Sequence, residues 1–244
     1  MFSASAELYD LIYSGFKDYP AEAAQLATII RRLHPAARTV LDVACGTGEH
    51  ARLLAEEHGF EVDGLDLDAA FVEIARRKLQ RGSVHHGDMT SFALPRRYDV
   101  ILCLFSSIGY VRTLEKVRRT LERFREHLAG GGIVLVEPWF APGVLEPGRV
   151  SIDTARSERV SVVRMAHTEV EGRLSRIRFE YLIGRPEGIE HAAELHELGL
   201  FTTEEMLDCF REAGLEAAHD PEGPSGRGLF IARASLRAPP RSPY

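Results

Sequence analysis

The sequence is short of several residue types, and each shortage narrows the class of protein. Its 244 residues include no asparagine, two glutamines, three lysines and three cysteines. Cys45, Cys103 and Cys209 lie far apart, with no CxxC pair and no cysteine–histidine cluster. We therefore expect reduced thiols, no disulfide framework and no metal site. The scarcity of amides fits either a GC-rich genome, which we favour, or a thermophile.

Long apolar runs and basic clusters are also missing. No stretch of about 18 uninterrupted apolar residues occurs, so no membrane-spanning helix is predicted. Residues 1–10 lack the basic and apolar regions of a secretory signal, and a cytoplasmic protein is expected. The net charge of −6 comes without a basic block, which disfavours nucleic acid as a partner.

Short apolar strands alternate with amphipathic helices over the first 148 residues. Strands are predicted at 39–44, 61–67, 83–89, 98–107 and 133–140. Helices are predicted at 5–14, 20–33, 49–59, 70–82 and 113–132, the last with a glycine stop. This alternation is typical of a doubly wound α/β fold with a mostly parallel, Rossmann-like sheet. We assign residues 1–148 to such a core.

The pattern changes between residues 149 and 200, where strands follow one another without helices. They are predicted at 159–170, 172–184 and 192–202. Their apolar and polar residues alternate, as in antiparallel strands with one face in water. The sequence therefore predicts an inserted antiparallel sheet, which would form a lid or a dimer surface.

The remaining residues are assigned to the core and to a tail. Residues 201–234 complete the core with a helix at 202–215, N-capped by Thr202 or Thr203, and a strand at 226–234. Residues 235–244 are expected to form a disordered tail.

A glycine loop follows the first strand, in LDVACGTGEH at 41–50. Gly46 and Gly48 allow the backbone to approach a ligand closely. The loop matches neither the dinucleotide motif GxGxxG nor a P-loop, which requires Gly-Lys-Ser/Thr. Ligands of doubly wound sheets bind at the carboxyl ends of strands near the switch point, so the loop predicts a ligand site.

Acidic residues stand at successive strand ends. Asp42 precedes the glycine loop, and Asp66 ends the second strand about 20 residues later, where an acid can accept both hydroxyls of a ribose. Asp88 ends the third strand, where it can accept an adenine amino proton. Carboxylates repel phosphates, so this set suits a positively charged nucleoside. The sulfonium S-adenosylmethionine (SAM) fits.

Four stretches together resemble the class I SAM-dependent methyltransferases over about residues 36–140: LDVACGTG, GLDL, GDM and a fourth strand opened by Tyr-Asp. The resemblance implies that the glycine loop contacts the methionyl part and Asp66 the ribose, while Asp88 and Met89 hold the adenine. The implied cofactor-binding residues are Tyr19, Asp42, Ala44, Cys45, Gly46, Gly48, Asp66, Leu67, Asp88, Met89 and Leu104.

Further motifs resemble one subfamily from residue 7 to about 232. They are LYDL (8–11), KDY (17–19), FSSIGY (105–110), VEPWF (136–140) and GPSGRGLF (223–230). These resemble the N,N-dimethyltransferases that act on TDP-linked 3-amino-3,6-dideoxyhexoses, as in desosamine and mycaminose biosynthesis. The resemblance implies direct in-line methylation of the amino group of a TDP-linked amino-deoxy sugar, and a homodimer.

The subfamily resemblance also implies where the acceptor binds. The implied substrate-binding residues are Tyr9, Phe105, Ser107, Tyr110, Trp139 and Arg227. Tyr110 is the catalytic candidate, but an unperturbed tyrosine pKa near 10 makes it a poor base. We expect its hydroxyl to orient the amine while water receives the proton. Arg227, between two glycines, is expected to bind the diphosphate, and Trp139 to stack on the thymine, cover the sugar or plug the lid.

Two alternatives stay open. One is a methyltransferase for another small amine or hydroxyl metabolite, and the other is a SAM- or nucleotide-binding protein without catalysis. Arg227 discriminates, because a small neutral acceptor does not need it. His85 and His86 point to opposite faces of their strand and predict no metal site. His191 and His196, in the inserted sheet, are expected at the surface.

Overall fold

The computed structural model describes residues 6–235, which form two β-sheets with helices packed against them. The helices are α1 Ala6–Tyr13, α2 Tyr19–Leu33, α3 Glu49–Glu56, α4 Ala69–Lys78, α5 Leu114–His127 and α6 Thr203–Glu212. The strands are β1 Thr39–Val43, β2 Glu61–Asp66, β3 Val84–His86, β4 Tyr98–Cys103, β5 Leu128–Val136, β6 Val150–Arg156, β7 Ser161–Glu171, β8 Leu174–Arg185, β9 Gly188–Gly199, β10 Leu215–Asp220 and β11 Leu229–Ala234. In this part of the chain, no helix is long and apolar enough to cross a membrane.

The main sheet has the order β10-β11-β5-β4-β1-β2-β3. Strands β1 to β5 run parallel, and β11 pairs antiparallel with both β5 and β10. The strand order reverses between β1 and β4, which is the switch point where such sheets open a crevice. The predicted Rossmann-like α/β fold with a separate antiparallel sheet is confirmed.

Two apolar cores cover the two faces of the main sheet. On one face α5 and α6 contribute Phe124 and Phe210, and on the other α2 and α3 contribute Ile30 and Leu54. The central strands are therefore buried on both faces, which explains their nearly continuous apolar sequences. This packing makes a firm platform beneath the strand ends.

The second sheet is antiparallel, in the order β6-β7-β8-β9. Its inner face packs Val162, Phe179 and Ile183 against Leu8 and Ile12 of α1. Strand β6 is missing from the sequence prediction. The sequence VSIDTAR gives little apolar signal, and the strand forms by pairing with β7 along its whole length.

The structure corrects the prediction at other places too. The fourth strand, predicted over 98–107, ends at Cys103, and a loop and a short 3-10 helix at Ser107–Val111 follow it. Strand β10 was not predicted, because LEAAHD lacks β-branched residues and forms by pairing with β11. The Gly130–Gly132 run belongs to β5 rather than to the end of a helix, since it lies beside β4 where the register shifts. The residues Glu137 to Phe140, predicted in the fifth strand, follow it as a loop. Apart from Ser235, the expected tail lies outside the described residues.

The N-cap of α6 gives a test of local stability. Thr202 Oγ1 accepts from Glu205 N at 3.2 Å and Thr202 N donates to Glu205 Oε2 at 2.8 Å, a complete capping box. Thr202→Ala should lower the free energy of unfolding by about 1 kcal/mol, whereas Thr203→Ala should change it by less than about 0.5 kcal/mol. Urea unfolding of both variants measures the difference, and equal losses would contradict the assignment of the cap.

Candidate active site

A cavity of about 790 Å³ opens at the carboxyl ends of the main-sheet strands. It is bounded by the loops after β1, β2 and β4, by α1, and by the inner face of the second sheet. A smaller space of about 40 Å³ adjoins it under the glycine loop. The second sheet therefore closes over the position that the strand ends mark.

The glycine loop presents its backbone to the cavity. Gly46 has a φ of +57°, and a side chain built there would meet nothing within 4 Å. Ala44, with a φ of +58°, adopts the left-handed conformation that non-glycine residues rarely adopt. Gly48 has another role, because a Cβ there would lie 2.9 Å from Cβ of Ala75. Gly48 therefore allows α3 to pack closely on α4 and lines neither space.

Asp66 connects the glycine loop to the turn after β2. Its Oδ2 accepts from Gly46 N and its Oδ1 from Asp68 N, both at 2.8 Å. Burial raises the pKa of the Asp66 carboxyl, and these hydrogen bonds oppose the rise. Each carboxylate oxygen has a second acceptor site. Asp66 can therefore fix the loop and still accept the two hydroxyls of a ribose.

Asp42 lies below the loop, in the smaller space. Burial raises its pKa to about 7, with Asp66 adding to the rise and His50 opposing it. Tyr19 packs its ring edge-on to His50, with 5.0 Å between the centroids. These residues support the glycine loop from beneath, at a site adjoining the main cavity.

The loop after β4 also lines the cavity, and its backbone is strained. Phe105 and Ser106 have φ values of +50° and +62°, a costly backbone conformation for residues other than glycine. Phe105 N donates to Glu137 Oε2 at 2.7 Å, and Ser106 Oγ donates to the carbonyl of Pro138 at 2.6 Å. Ser225 donates its hydroxyl proton to the other oxygen of Glu137. The buried Glu137 carboxylate thus joins this loop to the β10–β11 loop.

Arg227 reaches the cavity from the β10–β11 loop. Its guanidinium carbon lies 5.1 Å from the ring centroid of Phe105 and 5.7 Å from that of Trp139. Trp139 Nε1 donates to Ser175 Oγ at 2.9 Å, which fixes the indole to β8. Phe105, Trp139 and Arg227, widely separated in sequence, therefore form one wall of the cavity.

Arg164 is a cavity residue that the sequence reading missed. It is buried and donates to Asp153 Oδ2 through Nη2 at 2.7 Å and Nε at 3.1 Å. Its guanidinium carbon lies 4.9 Å from the Tyr13 ring centroid, and its Nη1 is buried without a hydrogen-bond partner among the described residues. The sequence contained an indication of this position. Arg164 alternates with the apolar Val162 and Ala166, which predicts that it lies on the apolar face of β7.

His196 contradicts the expectation of a surface residue. It is 1% exposed, and its Nδ1 lies 2.9 Å from the hydroxyl of Tyr110. Burial raises the pKa of Tyr110 well above the usual value. The sequence ELHELGL mixes polar and apolar residues on both faces of β9, so its alternation did not show which face is buried. His191, on the opposite face, is exposed.

The structure brings together almost all of the site residues expected from the sequence. The main cavity is lined by Tyr9, Ala44, Gly46, Asp66, Leu67, Asp88, Met89, Phe105, Ser107, Tyr110, Trp139 and Arg227. The smaller space is lined by Tyr19, Asp42, Cys45 and Leu104. Only Gly48 lines neither, and the functional role of each residue stays a prediction.

Acidic and basic side chains line the cavity from different elements of the fold. Asp66, Asp68 and Asp88 come from the strand ends of the main sheet and the turns that follow them. Arg164 belongs to the second sheet, where it pairs with the cavity residue Asp153, and Arg227 belongs to the β10–β11 loop. The cavity can therefore hold a cationic nucleoside on the acidic side and an anionic group near the guanidinium groups.

Known proteins resemble this chain in sequence and in fold. Residues 40–132 match the family described as "Methyltransferase domain". The dTDP-3-amino-3,6-dideoxy-alpha-D-glucopyranose N,N-dimethyltransferase of Streptomyces fradiae is 46% identical over 92% of this chain and 89% of its own. The crystal structure of Streptomyces venezuelae DesVI has a TM-score of 0.89 and 38% identity, over 94% of this chain and 98% of that one. The SAM-bound amino pentose methyltransferase CalS10 from Micromonospora echinaspora has a TM-score of 0.83 and 36% identity, over 92% and 95%.

The position of Asp66 in the cavity predicts that its replacement weakens cofactor binding. Asp66→Asn should weaken binding of S-adenosylhomocysteine roughly 10- to 100-fold, because hydrogen bonds to a charged group contribute about 1.5–3 kcal/mol. Asp63→Asn is the matched control, since Asp63 also lies on β2 but accepts from Tyr98 Oη and Ser83 N outside the cavity. Titration calorimetry should give the control nearly wild-type affinity. Equal weakening in both variants would argue against direct contact of Asp66 with the nucleoside.

Proposed function

The chain belongs to the class I SAM-dependent methyltransferases, in the family of the nucleotide-linked amino sugar N,N-dimethyltransferases, and from this premise we propose that it methylates a TDP-linked amino-deoxy sugar. The reaction is transfer of methyl groups to the sugar's amino nitrogen. The observation that supports this acceptor is the pair of guanidinium groups, Arg164 and Arg227, in a cavity whose other side is acidic. The name of the relative from Streptomyces fradiae supports two methyl additions.

The residues of the acidic side fit SAM. The open backbone at Gly46 accommodates the methionyl part, and the free acceptor sites of Asp66 suit the ribose. Asp88 and Met89 line the cavity at the next strand end, where the adenine would lie. SAM supplies a methyl group on a carbon already activated by the sulfonium. No basic catalyst is required to activate that carbon.

The residues of the opposite side fit a nucleoside diphosphate. Arg227 presents a planar fork beside the hydroxyl of Ser106, 3.5 Å from its Nη1. Arg164 lines the same cavity; its Nη2 and Nε pair with Asp153, and its buried Nη1 has no hydrogen-bond partner within residues 6–235. Charge-assisted hydrogen bonds from two guanidinium groups suit the oxygens of a diphosphate. Phe105 and Trp139, beside Arg227, supply apolar surface for the sugar or the thymine.

The protein then has to place the amine and exclude water. The cover that α1 and the second sheet form over the cavity would limit competing solvent, and the strained loop at Phe105 and Ser106 would fix the entry of the acceptor. Tyr110 lines the cavity with its hydroxyl held by His196, so it can orient the amine. The alternative of a small neutral acceptor leaves the cavity arginines unused, and the alternative of a protein without catalysis leaves Tyr110 unused.

We also propose that two copies associate through the outer face of the second sheet. Ile152 and Met165 are direct cross-strand partners on this face, and both are exposed. Leu182, on the next strand, is also exposed. Exposed apolar groups clustered on one sheet face are typical of protein–protein contacts. The inner face of the sheet would then line the cavity, and the outer face would form the dimer contact.

Removal of Arg227 tests the acceptor. Arg227→Ala should raise KM for a TDP-amino sugar about 10- to 100-fold, since a charge-assisted contact contributes about 1.5–3 kcal/mol, and should leave S-adenosylhomocysteine affinity unchanged. Arg211→Ala, at an exposed guanidinium on α6, is the control. Steady-state kinetics and calorimetry measure the two effects. Loss of cofactor binding in Arg227→Ala, or an unchanged KM, would contradict a diphosphate-bearing acceptor.

The dimer is tested by light scattering coupled to size exclusion. The wild-type mass should be twice that of one chain, and Leu182→Glu should raise the dissociation constant at least about 10-fold, because it places an unpaired charge in an apolar contact. Val144→Glu, at an exposed apolar residue outside the second sheet, should have no effect. A monomeric wild type would exclude the dimer.

A further inference from the structure

A chain of hydrogen-bonding side chains leads from the cavity into the second sheet. The hydroxyl of Tyr110 lies 2.9 Å from His196 Nδ1, and His196 Nε2 lies 3.4 Å from Glu194 Oε2. Tyr181 donates its hydroxyl proton to the same Glu194 oxygen at 3.1 Å. The side chains of His196 and Glu194 are only 1% and 3% exposed. This pair is therefore shielded from bulk water, and His196 lines the cavity beside Tyr110.

The chemistry of Glu194 sets the direction of these hydrogen bonds. With Glu194 ionised and His196 neutral, the carboxylate only accepts, so Nε2 carries the ring proton and Nδ1 carries a lone pair. The Tyr110 hydroxyl then donates to Nδ1, which leaves the lone pairs of its oxygen for a donor in the cavity. The N–H of an acceptor amine is such a donor. Hydrogen-bonded there, the amine nitrogen keeps its own lone pair for the methyl carbon.

We propose that His196, supported by Glu194, receives the proton released on N-methylation, with Tyr110 as the relay. This inference rests on the proposed function. When the new N–C bond forms, the acceptor nitrogen becomes positively charged. Its N–H bond then breaks as the proton passes to the Tyr110 oxygen, while the original hydroxyl proton passes to His196 Nδ1. Tyr110 is neutral before and after, and the positive charge ends on an imidazolium beside Glu194.

The relay accounts for two features that a lone tyrosine does not. Burial disfavours the tyrosinate form of Tyr110, and a concerted transfer never requires that form. The carboxyl group of Glu194 is buried next to His196. Its negative charge stabilises the imidazolium form of His196. The proton therefore goes to His196 rather than to water, which replaces the expectation from the sequence. His196 is a positioning and proton-accepting residue that acts through Tyr110.

The first experiment needs no acceptor. The protein, labelled with ¹⁵N-histidine and saturated with S-adenosylhomocysteine, is examined by NMR at neutral pH. The ring signals of His196 are assigned by their loss in His196→Asn, among the ten histidines of the chain. We expect the tautomer protonated at Nε2 and unprotonated at Nδ1. Protonation at Nδ1 alone would overturn the inference, whatever the acceptor is.

The second experiment uses a TDP-linked amino sugar. The amide carbonyl that His196→Asn introduces can still accept from Tyr110 but cannot take a proton. The kcat of this variant should fall about 10²- to 10⁴-fold, the usual contribution of general acid–base catalysis, with KM within about threefold of wild type. His191→Asn, an exposed site on the same strand, should keep wild-type kcat. A wild-type kcat in His196→Asn would overturn the inference.

A double variant separates a relay from a structural effect. Tyr110→Phe should also lose kcat, and Tyr110→Phe combined with His196→Asn should lose little more than the worse single variant, because groups acting as one unit are not additive. Multiplied losses would overturn the relay. Failure of wild-type protein to methylate the TDP-amino sugar would instead refute the proposed function, and the NMR result would still decide the direction of the Tyr110–His196 bond.

Discussion

The two hydrogen bonds that the Asp66 carboxylate accepts, from Gly46 N and Asp68 N, organise the cofactor half of the molecule. They join the loop after β1, the end of β2 and the start of α4, which come from three separate stretches of chain. A buried carboxylate requires such partners to compensate for lost solvation. The same contacts hold the glycine backbone open to the cavity. Asp66 therefore has a structural role and, in the function that we propose, also binds the cofactor.

Glu137 has the corresponding role in the acceptor half. It accepts from Phe105 N and from the hydroxyl of Ser225, and so sets the distance between the β4 loop and the loop that carries Arg227. The left-handed conformations of Ala44, Phe105 and Ser106 occur in the loops after β1 and β4, beside the switch point. Strain of this kind persists where surrounding contacts enforce it. It is consistent with loops shaped for a ligand.

In the function that we propose, the second sheet supplies residues that distinguish the acceptor side of the cavity. The parallel sheet and glycine loop suit many SAM-dependent reactions, so they do not determine the acceptor. Arg164 and His196 both belong to the inner face of the inserted sheet, and both line the cavity. In the function that we propose, Arg164 binds the anionic part of the acceptor, and His196 contacts Tyr110. The inserted sheet is thus part of the proposed active site as well as a cover over it.

The sequence by itself predicted which residues meet at the acidic side of the cavity. Gly46 and Asp66 belong to short motifs at strand ends, and parallel strands bring their carboxyl ends to one edge of a sheet, so local patterns were sufficient. It also determined the alternating core and the existence of an antiparallel insertion. Strands β6 and β10 were missed because weak local preference was outweighed by pairing with neighbouring strands.

Only the tertiary structure decided which residues surround Tyr110. Tyr110 and His196 are 86 positions apart, and their contact depends on how the second sheet packs over the main one. The alternation along β9 allowed either face to be buried, which is why His196 was wrongly placed at the surface. The same packing buried Arg164 beside Tyr13. Long-range burial sets the chemistry of these groups, because desolvation and partner geometry arise only when distant elements meet.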